Sequence, residues 1–221
     1  MSTNSAAVSA SVEDVQGDNR WRSQHERQVT DCQLKKPDVL FVGDSLIHRM
    51  RDTEAWENYF QPLHSVNAGI GGDSTQHVLW RLENGLLSNC SPKVLVVLVG
   101  TNNHGHTADQ VSEALEAIAW SVYNQSPQTK TVILGLFPRG EKANPIREKI
   151  YQINYNMERI ITTVPNAYFL IADPGFVRHD DTIAPEDMLD YLHLTRRGYN
   201  RTCPIIARFV KKLLADMTGA C

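Results

Sequence analysis

The sequence predicts an α/β protein, a five-stranded parallel sheet with helices on both faces. Two observations carry this expectation. Five apolar runs of strand length recur along the chain, and segments of helical periodicity alternate with them. A length of 221 residues with 42% hydrophobic content suits one soluble domain with a sizeable core. Residues 18–221 are therefore read as a single domain. Residues 1–17, rich in Ser, Ala, Val and Asn, are read as a disordered tail.

Taken in order, residues 18–36 mix Trp21, His25 and Val29 with charges and are expected to form a helix on the domain edge. Residues 39–42 (VLFV) follow Pro37 and read as a buried strand. Residues 64–67 form a weaker strand before a glycine cluster. Residues 73–83 place Val78, Leu79 and Leu82 on one helical face. Residues 93–99 (KVLVVLV) give the strongest strand signal. The helix at 107–123 opens with a capping pattern from Thr107 to Gln110, then spaces Val111, Leu115, Ile118 and Val122 helically. A fourth strand at 130–136, a helix at 146–161 and a fifth strand at 167–172 follow. The last helix covers 197–217, where Pro204 must kink or begin it. No internal repeat interrupts this order.

A net charge of −3 leaves no basic excess, so nucleic acid is not an expected partner. No apolar run approaches the length of a transmembrane span. The N-terminus lacks the basic start and apolar stretch of a signal peptide, which predicts a cytoplasmic location. Cys32, Cys90, Cys203 and Cys221 are unevenly spaced and are expected to remain free thiols.

Sites in open parallel sheets form beyond the carboxyl ends of the strands. The first three strands are followed by Gly43-Asp44-Ser45, by 69–73 (GIGGD) and by 100–103 (GTNN). Ser45 offers a hydroxyl at a strand-to-helix turn. Its own N–H, the Gly72 N–H and the Asn102 amide offer three donors, the set acyl transfer needs to hold an oxyanion. A serine needs a base. Among eight histidines, His193 stands three residues after Asp190, close enough for the carboxylate to orient the ring. The predicted triad is therefore Ser45, His193 and Asp190, with Ser45, Gly72 and Asn102 forming the oxyanion hole.

Simpler readings account for the other motifs. A second Gly-Asp-Ser at 72–74 opens a helix, so Ser74 reads as a cap. The chain has no GxSxG elbow, which argues against an α/β-hydrolase. The cluster 69–72 lacks both the GK[ST] ending and full GxGxxG spacing, which argues against nucleotide binding. His104 and His106 have only Asp109 nearby as a carboxylate, and Asp109 already belongs to a helix start, so no metal site is expected.

The blocks VLFVGDSL, NAGIGGDST, VLVGTNNHGHTA and DMLDYLHLT resemble the SGNH (GDSL) hydrolase superfamily. Within it they look most like the catalytic alpha subunits of intracellular platelet-activating factor acetylhydrolase type I, with supporting runs HVLWRLENG, LFPRGEKANPIREK and DVQGDNRW. The resemblance implies a flavodoxin-like three-layer α/β/α fold. It implies a serine esterase that removes the sn-2 acetyl group of platelet-activating factor and similar short-acyl phospholipids through an acyl-enzyme, without metal or organic cofactor. It assigns Ser45, Asp190 and His193 to the triad, Gly72 and Asn102 to the oxyanion hole, and Leu46, Thr101 and Leu192 to a small acyl pocket. All three triad positions are intact, which predicts an active enzyme. Alpha-subunit homo- or heterodimers and a WD-repeat regulatory subunit linked to dynein are the implied partners. Two alternatives remain open at this point: an SGNH esterase for other acetyl esters such as acetylated sugars, and a chain that serves mainly as the partner of the WD-repeat protein.

Overall fold

A computed structural model of the chain describes residues 3–88 and 90–218. Among them, five parallel strands form one sheet: β1 (Val39–Gly43), β2 (Ser65–Gly69), β3 (Val94–Leu98), β4 (Lys130–Leu134) and β5 (Ala167–Leu170). Their order is β2-β1-β3-β4-β5, so the direction of winding reverses between β1 and β3. Pairing there is in register from Val39 opposite Val94 to Gly43 opposite Leu98. Every residue of β1 and β3 is buried. A strand buried on both faces reads as an unbroken apolar run, which is why these two were the clearest in the sequence. The edge strand β5 is only half-buried.

The helices are α1 (Arg20–Lys35), α2 (Ser45–Met50), α3 (Glu54–Tyr59), α4 (Thr75–Arg81), α5 (Ala108–Gln125), α6 (Pro145–Ile160) and α7 (Arg196–Thr218). α4, α5 and α6 pack side by side, and α3 packs on α7. Capping chemistry sets several boundaries. Thr107 and Gln110 form a reciprocal capping box at the start of α5. Asn144 accepts from the N–H groups of Ile146 and Arg147 ahead of Pro145. α2 and α3 are six residues each, too short to show a helical period; α2 begins at the strand-to-helix turn expected at Ser45, and α3 has no counterpart in the sequence expectations. Their caps, Asp44 and Thr53, accept from the N–H groups of Leu46 and Trp56. α7 begins at Arg196 and runs through Pro204, so that proline lies inside the helix instead of opening it.

One expectation is corrected. Residues 4–10, read as part of a disordered tail, lie against α4 and α5. Ala6 is fully buried. The Asn4 side chain donates to the Gln110 carbonyl and to Glu113, each at 2.9 Å. Thr75 Oγ1 donates to the Ala6 carbonyl at 2.8 Å, and the Ala10 N–H donates to the Gln76 carbonyl at 3.2 Å. The segment is held mainly by polar bonds from the Asn4 and Thr75 side chains, and its apolar residues are small and show no period, so composition alone does not reveal it. Cys32, Cys90 and Cys203 are buried free thiols; Cys221 lies outside the described residues. No helix among the described residues is long and apolar enough to cross a membrane.

Candidate active site

β1 delivers Ser45 to the carboxyl edge of the sheet at the point where strand order reverses, the position at which open α/β sheets form ligand crevices. Gly43 is required for that delivery. A Cβ there would stand 2.1 Å from the Leu98 carbonyl oxygen of β3. Asp44 is fully buried and caps α2, with Oδ1 accepting from the Leu46 N–H at 2.9 Å. Burial pushes its carboxyl up to about 7. Ser45 is then the first residue of α2, where helical N–H groups have no intrahelical partner.

Ser45 Oγ lies 2.9 Å from His193 Nε2, across 148 residues of sequence. His193 Nδ1 lies 2.6 Å from Asp190 Oδ2. The other carboxylate oxygen, Asp190 Oδ1, accepts from the backbone N–H groups of His193 (2.7 Å) and Leu192 (3.2 Å). Partial burial opposes ionisation of Asp190, but the bonds from the His193 ring and backbone outweigh it and hold the carboxyl at about 2. The loop turns tightly, with Tyr191 at φ +57°. Met188 and Leu194 bridge its two arms. Behind it, the nearly buried Asp187 accepts from Arg201 at 2.5 Å and pairs with Arg197 at 3.2 Å, both on α7. The Gly140 N–H holds the Tyr191 carbonyl at 2.8 Å.

The candidate oxyanion donors, Gly72 and Asn102, lie at the next two strand ends. The Asp73 N–H closes a turn onto the Ile70 carbonyl at 3.3 Å. Gly72 sits in that turn at φ +83°, a conformation natural only to glycine. After β3, Asn102 Nδ2 donates to the Asp73 carbonyl at 2.9 Å. That bond uses one of its two hydrogens and orients the amide. The neighbouring Asn103 does a different job: it is buried and bonds Thr75 through both amide atoms. Ser74 caps α4, and its N–H donates to His77 Nδ1 at 3.0 Å.

Of the acyl-pocket candidates, Leu46 and Thr101 are buried and Leu192 is half-buried. Arg139, unassigned from sequence, donates to both the carbonyl (3.1 Å) and hydroxyl (3.2 Å) of Thr101. Thr101 also lines a cavity of about 330 Å³ with Leu136, Ile146, Ile150 and Ile153; Leu46 and Leu192 do not line it. His106 and Asp109 are engaged elsewhere, with Ser5 at 3.0 Å and Asn156 at 2.8 Å. Arg139 and Asp187 fall in the blocks LFPRGEKANPIREK and DMLDYLHLT, but no sequence signal gives them or Arg201 a role, because each acts on a partner distant along the chain.

Comparison with known proteins gives a consistent result. The pattern of the GDSL-like lipase/acylhydrolase family matches residues 41–201. The chain is 51% identical to human platelet-activating factor acetylhydrolase IB subunit alpha1 over 216 residues, covering 98% of this chain and 94% of that protein. It is 49% identical to the Gallus gallus alpha2 subunit over 214 residues, covering 97% and 93%. A GDSL-like lipase from Bacteroides thetaiotaomicron shares the fold, with a TM-score of 0.71 at 19% identity, covering 85% of this chain and 97% of that one.

Proposed function

The chain belongs to the GDSL-like lipase/acylhydrolase family and is a carboxylic ester hydrolase, and from that premise we propose that Ser45, His193 and Asp190 remove the sn-2 acetyl group of platelet-activating factor and related short-acyl phospholipids. The observation that carries this reading is the continuous chain from Ser45 Oγ through His193 to Asp190, at 2.9 and 2.6 Å.

His193 Nε2 accepts the Ser45 proton as Oγ bonds to the acetyl carbonyl carbon. The carbonyl oxygen becomes an oxyanion, received by the N–H groups of Ser45 and Gly72 and the free amide hydrogen of Asn102. Asp190 stabilises the imidazolium and fixes the tautomer that presents Nε2 to the serine. Collapse of the tetrahedral intermediate breaks the ester C–O bond. His193 returns its proton to the departing glycerol oxygen, leaving an acetyl-enzyme. Water repeats the sequence and releases acetate. Leu46, Thr101 and Leu192 bound the acyl side, where bulk rejects longer chains. The chain acts in the cytoplasm as a subunit, pairing with a second alpha subunit and with a WD-repeat partner linked to dynein. Support for this assembly comes from the resemblance to proteins that are themselves named as subunits.

A substrate panel tests the reading. Purified wild type and Ser45→Ala are compared on platelet-activating factor, the same lipid with a long sn-2 chain, and an acetylated sugar. We expect wild-type kcat/KM to be highest on the acetyl lipid by at least about tenfold, and Ser45→Ala to be inactive on all three. Equal or better turnover of the acetylated sugar would move the function to non-lipid acetyl esters. Activity retained by Ser45→Ala would refute the site.

A further inference from the structure

Two of the oxyanion donors, the Gly72 N–H and the Asn102 amide, depend on one residue, Asp73. Its N–H closes the turn that presents Gly72, and its carbonyl anchors Asn102. Its carboxylate is held inside the protein. Oδ1 accepts from Trp21 Nε1 at 2.7 Å, and Oδ2 accepts from an Arg81 guanidinium nitrogen at 2.8 Å. Asp73 and Arg81 are both fully buried.

The second terminal nitrogen of Arg81 donates to Gln28 Oε1 and to the Ala68 carbonyl, each at 2.5 Å. Gln28 Nε2 donates to the Gly69 carbonyl at 3.0 Å. The glycine turn is therefore gripped on both sides. Ala68 and Gly69 are held before it and Asp73 after it, by side chains of α1 (Trp21, Gln28) and α4 (Arg81).

Stability alone is a poor reason for such an arrangement. Withdrawing both charges from water can cost as much as their attraction returns, and apolar replacements of buried pairs are often neutral or stabilising. Here the cost is raised further because Arg81 Nε is buried without a hydrogen-bond partner. The network's distinctive output is geometric. It fixes two preorganised donors, whose worth depends on their placement before the oxyanion forms.

We infer that the buried Asp73–Arg81 pair, braced by Trp21 and Gln28, is a positioning device for the oxyanion hole: it acts on turnover through Gly72 and Asn102 without touching substrate. This inference rests on the proposed triad and oxyanion hole. It gives Asp73, Arg81, Trp21 and Gln28 a part in turnover and places the control of the transition state partly in α1, at the far end of the primary structure from His193.

The test uses two alterations of the full-length protein. Trp21→Phe keeps an aromatic, though smaller, side chain and removes one donor to Asp73. The double substitution Asp73→Asn with Arg81→Met removes both charges together, so neither is left buried alone. Rates on an acetyl ester are normalised to the amount of Ser45 labelled to completion by a fluorophosphonate, which removes any misfolded fraction. We expect kcat per labelled site to fall about 10²–10³-fold in the double variant, the scale of one lost oxyanion donor. Trp21→Phe should lose about tenfold, the scale of one hydrogen bond to a charged group. KM should stay within about twofold in both.

Affinity for a trifluoromethyl ketone, which forms a tetrahedral adduct with the serine, should fall in parallel with kcat/KM. Affinity for a non-hydrolysable amide analogue should not change. A merely structural role would lower melting temperature and the labelled fraction but leave kcat per labelled site near wild type. That result in both variants overturns the inference while leaving the triad intact. Wild type that fails to hydrolyse the ester, or Ser45→Ala that still does, overturns the triad reading and this inference with it.

Discussion

Replacing His193 by alanine is expected to lower kcat by about 10⁶-fold, with KM little changed. The size follows from the division of labour at the site. A serine hydroxyl is a weak nucleophile at neutral pH, and in the proposed mechanism Nε2 of His193, 2.9 Å from Ser45 Oγ, is its base. The same nitrogen later protonates the leaving alcohol, so one substitution disables both halves of the cycle. What survives is the catalysis from binding and the oxyanion donors, about 10³–10⁴ over water. Because serine and histidine act as one unit, the double variant Ser45→Ala with His193→Ala should be no slower than either single variant. Multiplicative losses in that cycle would mean that the two residues act independently. Steady-state rates on an acetyl ester, taken with enzyme free of contaminating esterase, decide the matter.

Asp190→Asn carries the second large effect, an expected loss of about 10²–10⁴ in kcat. The upper bound is the cost of presenting the wrong tautomer in a buried triad. The lower bound applies because the Asp190 side chain is 53% exposed and water can partly replace it. An asparagine can turn its amide nitrogen toward Nδ1, which favours the tautomer that places a hydrogen on Nε2 and removes the base. The pH dependence supplies a further check. With its carboxyl held at about 2, Asp190 stays ionised down to roughly pH 3. A fall in wild-type activity between pH 7 and 5 is therefore not due to protonation of Asp190; the buried Asp44 carboxyl beside Ser45, raised to about 7, titrates in that range. Measured kcat profiles for wild type and Asp190→Asn test both statements; an Asp190→Asn rate within about threefold of wild type would remove Asp190 from the triad.

How much of this was legible in the sequence depends on the range of the interaction. The strands were plain because β1 and β3 are buried on both faces and so are apolar without interruption. Thr107 and Gln110 announced α5 because a capping box is local. Ser45, Gly72 and Asn102 are candidates for one site because parallel strands end at one edge, and the Asp190–His193 pair because three residues separate them; the structure brings Ser45 Oγ to 2.9 Å from His193 Nε2. The extent of α2 and the presence of α3 escape the sequence because six residues give no period. The docking of residues 4–10 was missed because it is made by Asn4 and Thr75 side chains reaching backbone groups, which composition does not record. Arg81, Asp187 and Arg201 were also invisible. A charged residue in sequence reads as surface, and only its burial against a distant carboxylate or carbonyl reveals otherwise. Asp73 was read as part of a glycine-rich turn; its role lies in what lies behind that turn, on α1 and α4.

The central claim is that remote loops converge on one acyl carbon, with Ser45 as the attacking group. The most direct measurement is reaction of the wild-type protein with a fluorophosphonate, followed by peptide mapping of the adduct. The account predicts a single modified residue, Ser45, with labelling abolished in Ser45→Ala and slowed strongly in His193→Ala. An adduct on Ser74, in the second Gly-Asp-Ser, that persists in Ser45→Ala would contradict it.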